Sequence, residues 1–175
     1  VAKKTFILAP DQIDTNTIVA DIEEIRKYNP QRFEMEQLTA VCYEDPEQAV
    51  CAGFKDLGED EFWIRGHFPG MPLMPGVLMC EAAAQLASYY TLKYRLMNAP
   101  MVGFGGFQEV RFRGIVWPGD RFVIVVRLLR ARATMMTCEF QCFVKNSLVC
   151  EGVMLGIPLS PEKIVKELQA STPAE

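Results

Sequence analysis

From residue 77 to residue 92 the chain is apolar on nearly every side and contains neither proline nor glycine. That pattern predicts a helix buried all round, not one lying on a surface. Lys93 and Arg95 mark its last turn, and residues 98–100 end it. Residues 21–25 open a shorter helix with acids in its first turn, stopped by Asn29-Pro30. Residues 37–43 and 47–54 alternate apolar and polar positions around Asp45-Pro46 and predict a β-hairpin, and residues 61–64 predict a short strand. Beyond the helix, residues 101–116 are strand-like but interrupted by Gly103, Gly105 and Gly106, where a bulge or a close backbone approach is expected. Pro118-Gly119-Asp120 is a turn, and residues 121–130, 135–145 and 148–157 predict three long strands in an antiparallel meander. Residues 1–20 hold a short apolar run, 6–9, with no assignable role, and Pro161 starts a short helix that frays. Long antiparallel strands with one wholly apolar helix predict an α+β fold in which a curved sheet wraps around that helix.

The 175 residues, half of them apolar, suffice for one sizeable core. Three stretches are expected: an N-terminal extension (1–20), a single domain (21–160) and a C-terminal tail (161–175). The formal net charge of −4, with no basic tail, argues against nucleic-acid or anionic-membrane partners. Arginines do concentrate in the later third, at 111, 113, 121, 127, 130 and 132; they read either as outward-facing strand residues or as a surface for an acidic partner. The six cysteines sit largely within apolar runs and read as reduced, buried thiols. With no CxxC and one histidine, no metal-ligand set is expected. No signal-like start and no apolar run suited to a membrane span are found, so a cytoplasmic location is expected.

The candidate chemistry lies in residues 66–85, G-H-F-P-G-M-P-L-M-P-G-V-L-M-C-E-A-A-A-Q. His67 is the only histidine, so any step that needs an imidazole near neutral pH depends on it. Between it and Lys93 the one charged side chain is Glu81. A carboxylate inside an apolar helix is costly unless it gains a partner, and Gln85, one turn on, lies on the same face and can supply a hydrogen bond. Gly76 at the helix start leaves N–H groups without intrahelical partners and no side chain in front of them.

This stretch resembles the signature of the 3-hydroxyacyl-acyl carrier protein dehydratases of FabZ type, G-H-F-P-G-x-P-x-M-P-G-V-L followed by E-A-x-A-Q, and fills every fixed position of it. A second segment, V-R-F-R-G-I-V-W-P-G-D at 110–120, is similar to the family's A-R-F-R-R-P-V-x-P-G-D, with Gly114 and Ile115 departing from it. Near the front, Arg32 and Phe33 fit the family's R-Y-P-F segment, whereas Glu34, Glu36, Gln37 and Thr39 do not.

The resemblance implies a hot-dog fold over 21–160, a homodimer with continuous sheets and further assembly of dimers open, and a hydro-lyase. It would convert (3R)-3-hydroxyacyl thioesters on acyl carrier protein to trans-2-enoyl thioesters in fatty acid biosynthesis. It also implies roles: His67 as base, Gly76 and Val77 as N–H donors to the thioester oxygen, Glu81 as acid and Gln85 as its orienting partner. Histidine and glutamate of one site would come from opposite subunits, and no metal or other cofactor would be needed. Phe68, Met71, Leu73, Met74 and Met79, with Tyr89 and Tyr90, are candidates to line an acyl tunnel, against ordinary core packing. A dehydratase or hydratase of polyketide, lipid-tailoring or coenzyme A pathways, and a catalytically silent acyl-binding subunit, remain as alternatives.

Overall fold

The computed structural model describes residues 5–171. Six strands, β1 (Ala40–Asp45), β2 (Val50–Asp56), β3 (Met101–Phe112), β4 (Arg121–Arg132), β5 (Met135–Val144) and β6 (Ser147–Leu159), form one sheet. Its order is β1-β2-β4-β5-β6-β3, and each neighbouring pair is antiparallel. The helices are α1 (Ile22–Ile25), α2 (Gly76–Lys93) and α3 (Pro161–Ser171). The meander β4-β5-β6 and the long α2 packed on the sheet match the expected hot-dog architecture.

Strand alternation decides what each face buries. Cys51, Ile124, Val126, Cys138, Phe140 and Cys142 turn toward α2, where Met79, Ala83, Leu86 and Tyr89 meet them. Ala52, Phe54, Val125 and Phe143 turn the other way and form a second, smaller cluster. That second face is covered by the N-terminal extension. Ile7, Leu8 and Ile13 pack on it, and the Phe6 ring meets Phe143 edge-on at 5.6 Å. The amide of Gln141 clamps the extension's backbone, accepting from Ile7 N at 2.8 Å and donating to Thr5 O at 3.2 Å. The run at 6–9 therefore seals the back of the sheet; four apolar residues carry no period from which this could be read.

Residues 61–64 form turns instead of the expected strand, closed by Ile64 N donating to Glu61 O at 3.0 Å. β2, the strand this segment follows, is already flanked by β1 and β4, so the segment has no place beside it in the sheet, and Trp63 is buried as a plug. β3 is the edge strand opposite β1. Its register shifts between Phe104 and Gly106 and again between Gln108 and Arg111, as its glycines suggested for the first. Along it Phe104, Phe107 and Phe112 stay exposed.

The C-terminal end of α2 is held by a buried polar knot. Lys93 Nζ donates to both Glu44 oxygens at 2.9 and 2.8 Å and to Tyr89 Oη at 2.8 Å, while Tyr89 and Tyr94 donate to Glu44 at 2.7 and 2.8 Å. Desolvation first, and then the Glu44 carboxylate, raise the phenols of Tyr89 and Tyr94 well above the usual tyrosine range. All six cysteines are free and buried, as expected. Burial pushes the Cys42 thiol up to about 11, and it raises Cys51 and Cys138 as well, which removes these thiols as nucleophiles.

Candidate active site

The loop before α2 is built to fix one imidazole. Trp63 O accepts from both Gly66 N and His67 N, at 3.1 and 2.8 Å, and His67 O accepts from Leu73 N at 2.9 Å. Phe68 and Met71 bond each other's backbone at 2.9 and 2.8 Å across Gly70, whose φ of 76° suits glycine. Met74 N then donates to Val116 O at 2.9 Å and ties the loop to the β3–β4 connection. His67 Nδ1 lies 2.9 Å from Leu73 O. A carbonyl can only accept, so Nδ1 carries the proton there and the neutral ring presents Nε2 as its free acceptor. The Phe68 ring stacks on the imidazole with centroids 4.2 Å apart.

Gly76 is the first residue of α2, with Pro75 as its cap. Leu78 N and Met79 N turn back to Pro75 O, at 2.9 and 3.3 Å, whereas Gly76 N and Val77 N have no acceptor among the described residues. A Cβ added at Gly76 would lie 2.8 Å from the Phe112 ring, so the helix start sits hard against the end of β3. Val77 is 74% exposed, so the opening of α2 departs from burial on every side.

Glu81 and Gln85 meet as their spacing predicts: Gln85 Nε2 donates to Glu81 Oε1 at 2.7 Å. The same nitrogen donates to Met35 O at 2.7 Å, and Gln85 Oε1 accepts from Gln37 N at 2.9 Å. The buried amide thus holds Glu81 on one side and the 35–37 segment on the other. Glu81 Oε1 is engaged, and Oε2 has no hydrogen bond among the described residues.

Glu81 lines a cavity of about 70 Å³ with Ala84 and Ser88 of α2, Val102 and Phe104 of β3, and residues 154–156 of β6. His67 does not line it. Within one chain, His67 is bonded to Leu73, three residues before Gly76 opens α2, while Glu81 faces a separate space beside the β3 edge. Of the tunnel candidates, Met74 and Met79 are core residues, Phe68 and Met71 are exposed, and Leu73 is half-buried; none borders the Glu81 cavity. Tyr89 and Tyr90 are likewise buried in the core. The apolar walls of that cavity, Val102, Phe104, Met136 and Met154, were not singled out from the sequence. Gly103 was the available signal, since a strand glycine marks close approach, but which elements approach depends on the strand order.

Residues 29–153 match the family model of the FabA-like domain. The chain is 34% identical over 138 residues to the 3-hydroxyacyl-[acyl-carrier-protein] dehydratase FabZ of Pelotomaculum thermopropionicum, spanning 77% of this chain and 96% of that one. It is 30% identical over 148 residues to the FabZ of Hydrogenobaculum sp., spanning 83% and 99%. Among solved structures, the dehydratase heterocomplex ApeI:P from Xenorhabdus doucetiae superposes with a TM-score of 0.69 at 14% identity, covering 82% of this chain and 96% of that one. The fluoroacetyl-CoA-specific thioesterase FlK superposes at 0.59 and 11% identity, covering 70% and 94%, so the fold alone extends to other thioester chemistry. The six-stranded sheet around one buried helix, the filled signature at 66–85 and a match across most of the chain lead to one conclusion: this chain belongs to the FabA-like family, among its FabZ-type members.

Proposed function

We propose that this protein is a hydro-lyase that dehydrates 3-hydroxyacyl thioesters on acyl carrier protein to 2-enoyl thioesters in fatty acid biosynthesis. The observation that carries this reading is Glu81, held by Gln85 with one oxygen left over, facing a cavity in a chain whose one histidine presents a free Nε2. His67 Nε2 removes a proton from C2. The electron pair of that C–H bond becomes the C2=C3 double bond as C3–O breaks, and Glu81 Oε2 delivers the proton that turns the departing hydroxyl into water. Transfer of a proton from His67 back to Glu81 resets the site. The thioester oxygen gathers charge during the step and is met by Gly76 N–H and Val77 N–H at the positive end of α2.

The two halves of this chemistry are brought together by a homodimer formed along β3. If two copies pair antiparallel about the middle of the strand, Val102 faces Arg111 of the partner subunit, so the end of β3 that packs on Gly76 reaches the mouth of the opposite Glu81 cavity. The partner's His67 loop, which is tied to that same end, then serves this subunit's Glu81. Of the clustered arginines, 113, 121 and 127 are held in ion pairs. Arg130 and Arg132 form none among the described residues and sit on β4 beside the cavity wall, Arg132 opposite Met135 and Ala131 opposite Met136. They suit an acidic carrier protein. No helix among the described residues is long and apolar enough to cross a membrane.

The test is incubation with 3-hydroxyacyl thioesters of graded length on acyl carrier protein and on coenzyme A, with enoyl product followed by mass. Enoyl formation with a lower KM for the carrier-bound series is expected. No enoyl product from either series refutes the assignment.

A further inference from the structure

Lys55 is a cation on the inward face of the sheet. It stands opposite Phe122 in the β2–β4 ladder and two residues on from Gly53, where an added Cβ would meet Leu86 of α2 at 3.1 Å. Its side chain is only 13% exposed, and a lysine so placed is costly unless it is paired. It is held at two points that belong to different parts of the fold. Nζ lies 3.1 Å from Glu61 Oε1 in an ion pair whose acid is equally buried, and it donates to Glu36 O at 3.2 Å.

Each partner leads to one half of the chemistry. Glu36 sits between the two backbone groups that Gln85 grips, Met35 O and Gln37 N, and Gln85 is the residue that holds Glu81. The Glu36 carboxylate is taken up by Arg26, which donates to its two oxygens at 2.6 and 2.8 Å, so Lys55 meets the carbonyl instead. Glu61 opens the turns that carry the imidazole. Its carbonyl accepts from Ile64 N at 3.0 Å, and the next turn is closed by Trp63 O, which accepts from Gly66 N and His67 N. Among the described residues no hydrogen bond or ion pair joins residues 33–37 to residues 61–67 directly. One ammonium group thus stands between the strap behind Glu81 and the loop that leads to His67.

We propose that Lys55 is a positioning residue for both halves of the catalytic pair, fixing the strap that orients Glu81 and the loop that presents His67; this rests on the dehydratase reading above. In that reading Glu81 and His67 of one chain serve different sites of the dimer, so Lys55 acts at both sites, at one through the strap and at the other through the loop. It does not line the Glu81 cavity, so its effect falls on turnover and not on substrate binding.

The experiment compares wild type with Lys55→Met, which keeps the stem and removes the charge, and with Lys55→Arg, which can reach both acceptors again. Turnover is measured per folded dimer well below the melting temperature. The chain holds one histidine, so the ring of His67 gives a single proton resonance to follow. Lys55→Met should lower kcat roughly ten- to a hundredfold with KM within about twofold of wild type, and should shift the His67 resonance. Lys55→Arg should recover most of the turnover and the original resonance. Lys55→Gln, whose shorter amide cannot span both acceptors, gives the same comparison where Lys55→Met does not fold.

Mixed dimers separate the two arms. Carried with Glu81→Gln and mixed with His67→Ala chains, Lys55→Met burdens the loop of the one intact site; carried with His67→Ala and mixed with Glu81→Gln chains, it burdens the strap. Both mixtures should run slower than the mixture that keeps Lys55. Loss in one mixture only or in neither, an unmoved His67 resonance, or no recovery with Lys55→Arg overturns the proposal. So does a lower melting temperature with kcat per folded dimer unchanged, which would make Lys55 a structural pair alone. If wild type forms no enoyl product, the dehydratase reading itself fails; if it does and the mixture that keeps Lys55 is inactive, the shared site falls and the two-site role of Lys55 with it.

Discussion

Gln85→Leu should damage the fold as well as the site. The substitution keeps approximate volume and helix propensity but removes three hydrogen bonds. Gln37 N–H is fully buried and would lose its acceptor, a loss of about 1–3 kcal/mol. Met35 is half open to solvent, so its carbonyl can recruit water and costs less, about 0.5–1 kcal/mol. Glu81 keeps its exposure to the cavity but loses its orientation. The expected total is ~2–4 kcal/mol, a sizeable part of the ~5–15 kcal/mol typical of a whole domain. With a urea slope of about 2 kcal/mol/M, the unfolding midpoint should drop by ~1–2 M at fixed protein concentration with the slope unchanged. Amide exchange at residues 35–37 should accelerate beyond this global effect, since Gln85 is what ties that segment to α2. A midpoint shift below ~0.3 M, with exchange at 35–37 unaltered, would refute the argument that one amide supports both segment and acid.

His67→Ala and Glu81→Gln should each lower kcat by ~10²–10⁴ in a dehydration assay with little change in melting temperature, because in the second variant Gln85 can donate equally well to the carboxamide oxygen that replaces the carboxylate. Mixing the two inactive variants should give heterodimers that run at about half the wild-type rate, so a fully exchanged equimolar mixture reaches about a quarter of it per dimer, with subunit exchange checked by native mass spectrometry on tagged chains; no recovery after complete exchange excludes a site drawn from two subunits. Burial, aided by the neighbouring Cys51, Glu44 and Asp45, pushes the Tyr90 phenol up to about 12. The folded value lies above the unfolded one of ~10, so the associated stability is complete below pH ~10 and is lost as pH rises toward the folded value; chemical denaturation between those limits should show a shallower fall in Tyr90→Phe. Deleting residues 5–13 should lower stability by about 2–4 kcal/mol, from the partly buried Ile7, Leu8 and Ile13 and the Phe6 contact, while kcat per folded molecule stays within about twofold of wild type, since no site element touches that face.

The site is legible where its geometry is local. Glu81 and Gln85 are one helical turn apart, and their bond follows from the spacing alone. Gly76 opens α2 where the loss of glycine and proline after it predicted. The partners that depend on topology are not legible in this way. Gln85 also grips Gln37 N and Met35 O, some fifty residues away, and nothing in the 29–39 stretch announces a helix-facing backbone. The Glu81 cavity is built from β3 and β6 because β6 returns to pair with β3, a choice among strand orders that alternation does not distinguish. Residues 61–64 read as a strand because propensity is local, whereas a strand also needs a free place beside another in the sheet.

The strand order has a consequence for how the chain is made. β3 is finished early, yet its one partner in the sheet is β6, the last strand synthesised. At about 5–20 residues per second, the stretch from Phe112 to Leu159 takes the ribosome roughly 2–10 s. Throughout that interval an aromatic strand bearing Phe104, Phe107 and Phe112 waits without a neighbour. Neighbouring ribosomes on the same message carry identical waiting strands. The nascent protein is therefore most vulnerable to premature pairing, and most dependent on chaperone shelter, between the completion of β3 and the arrival of β6.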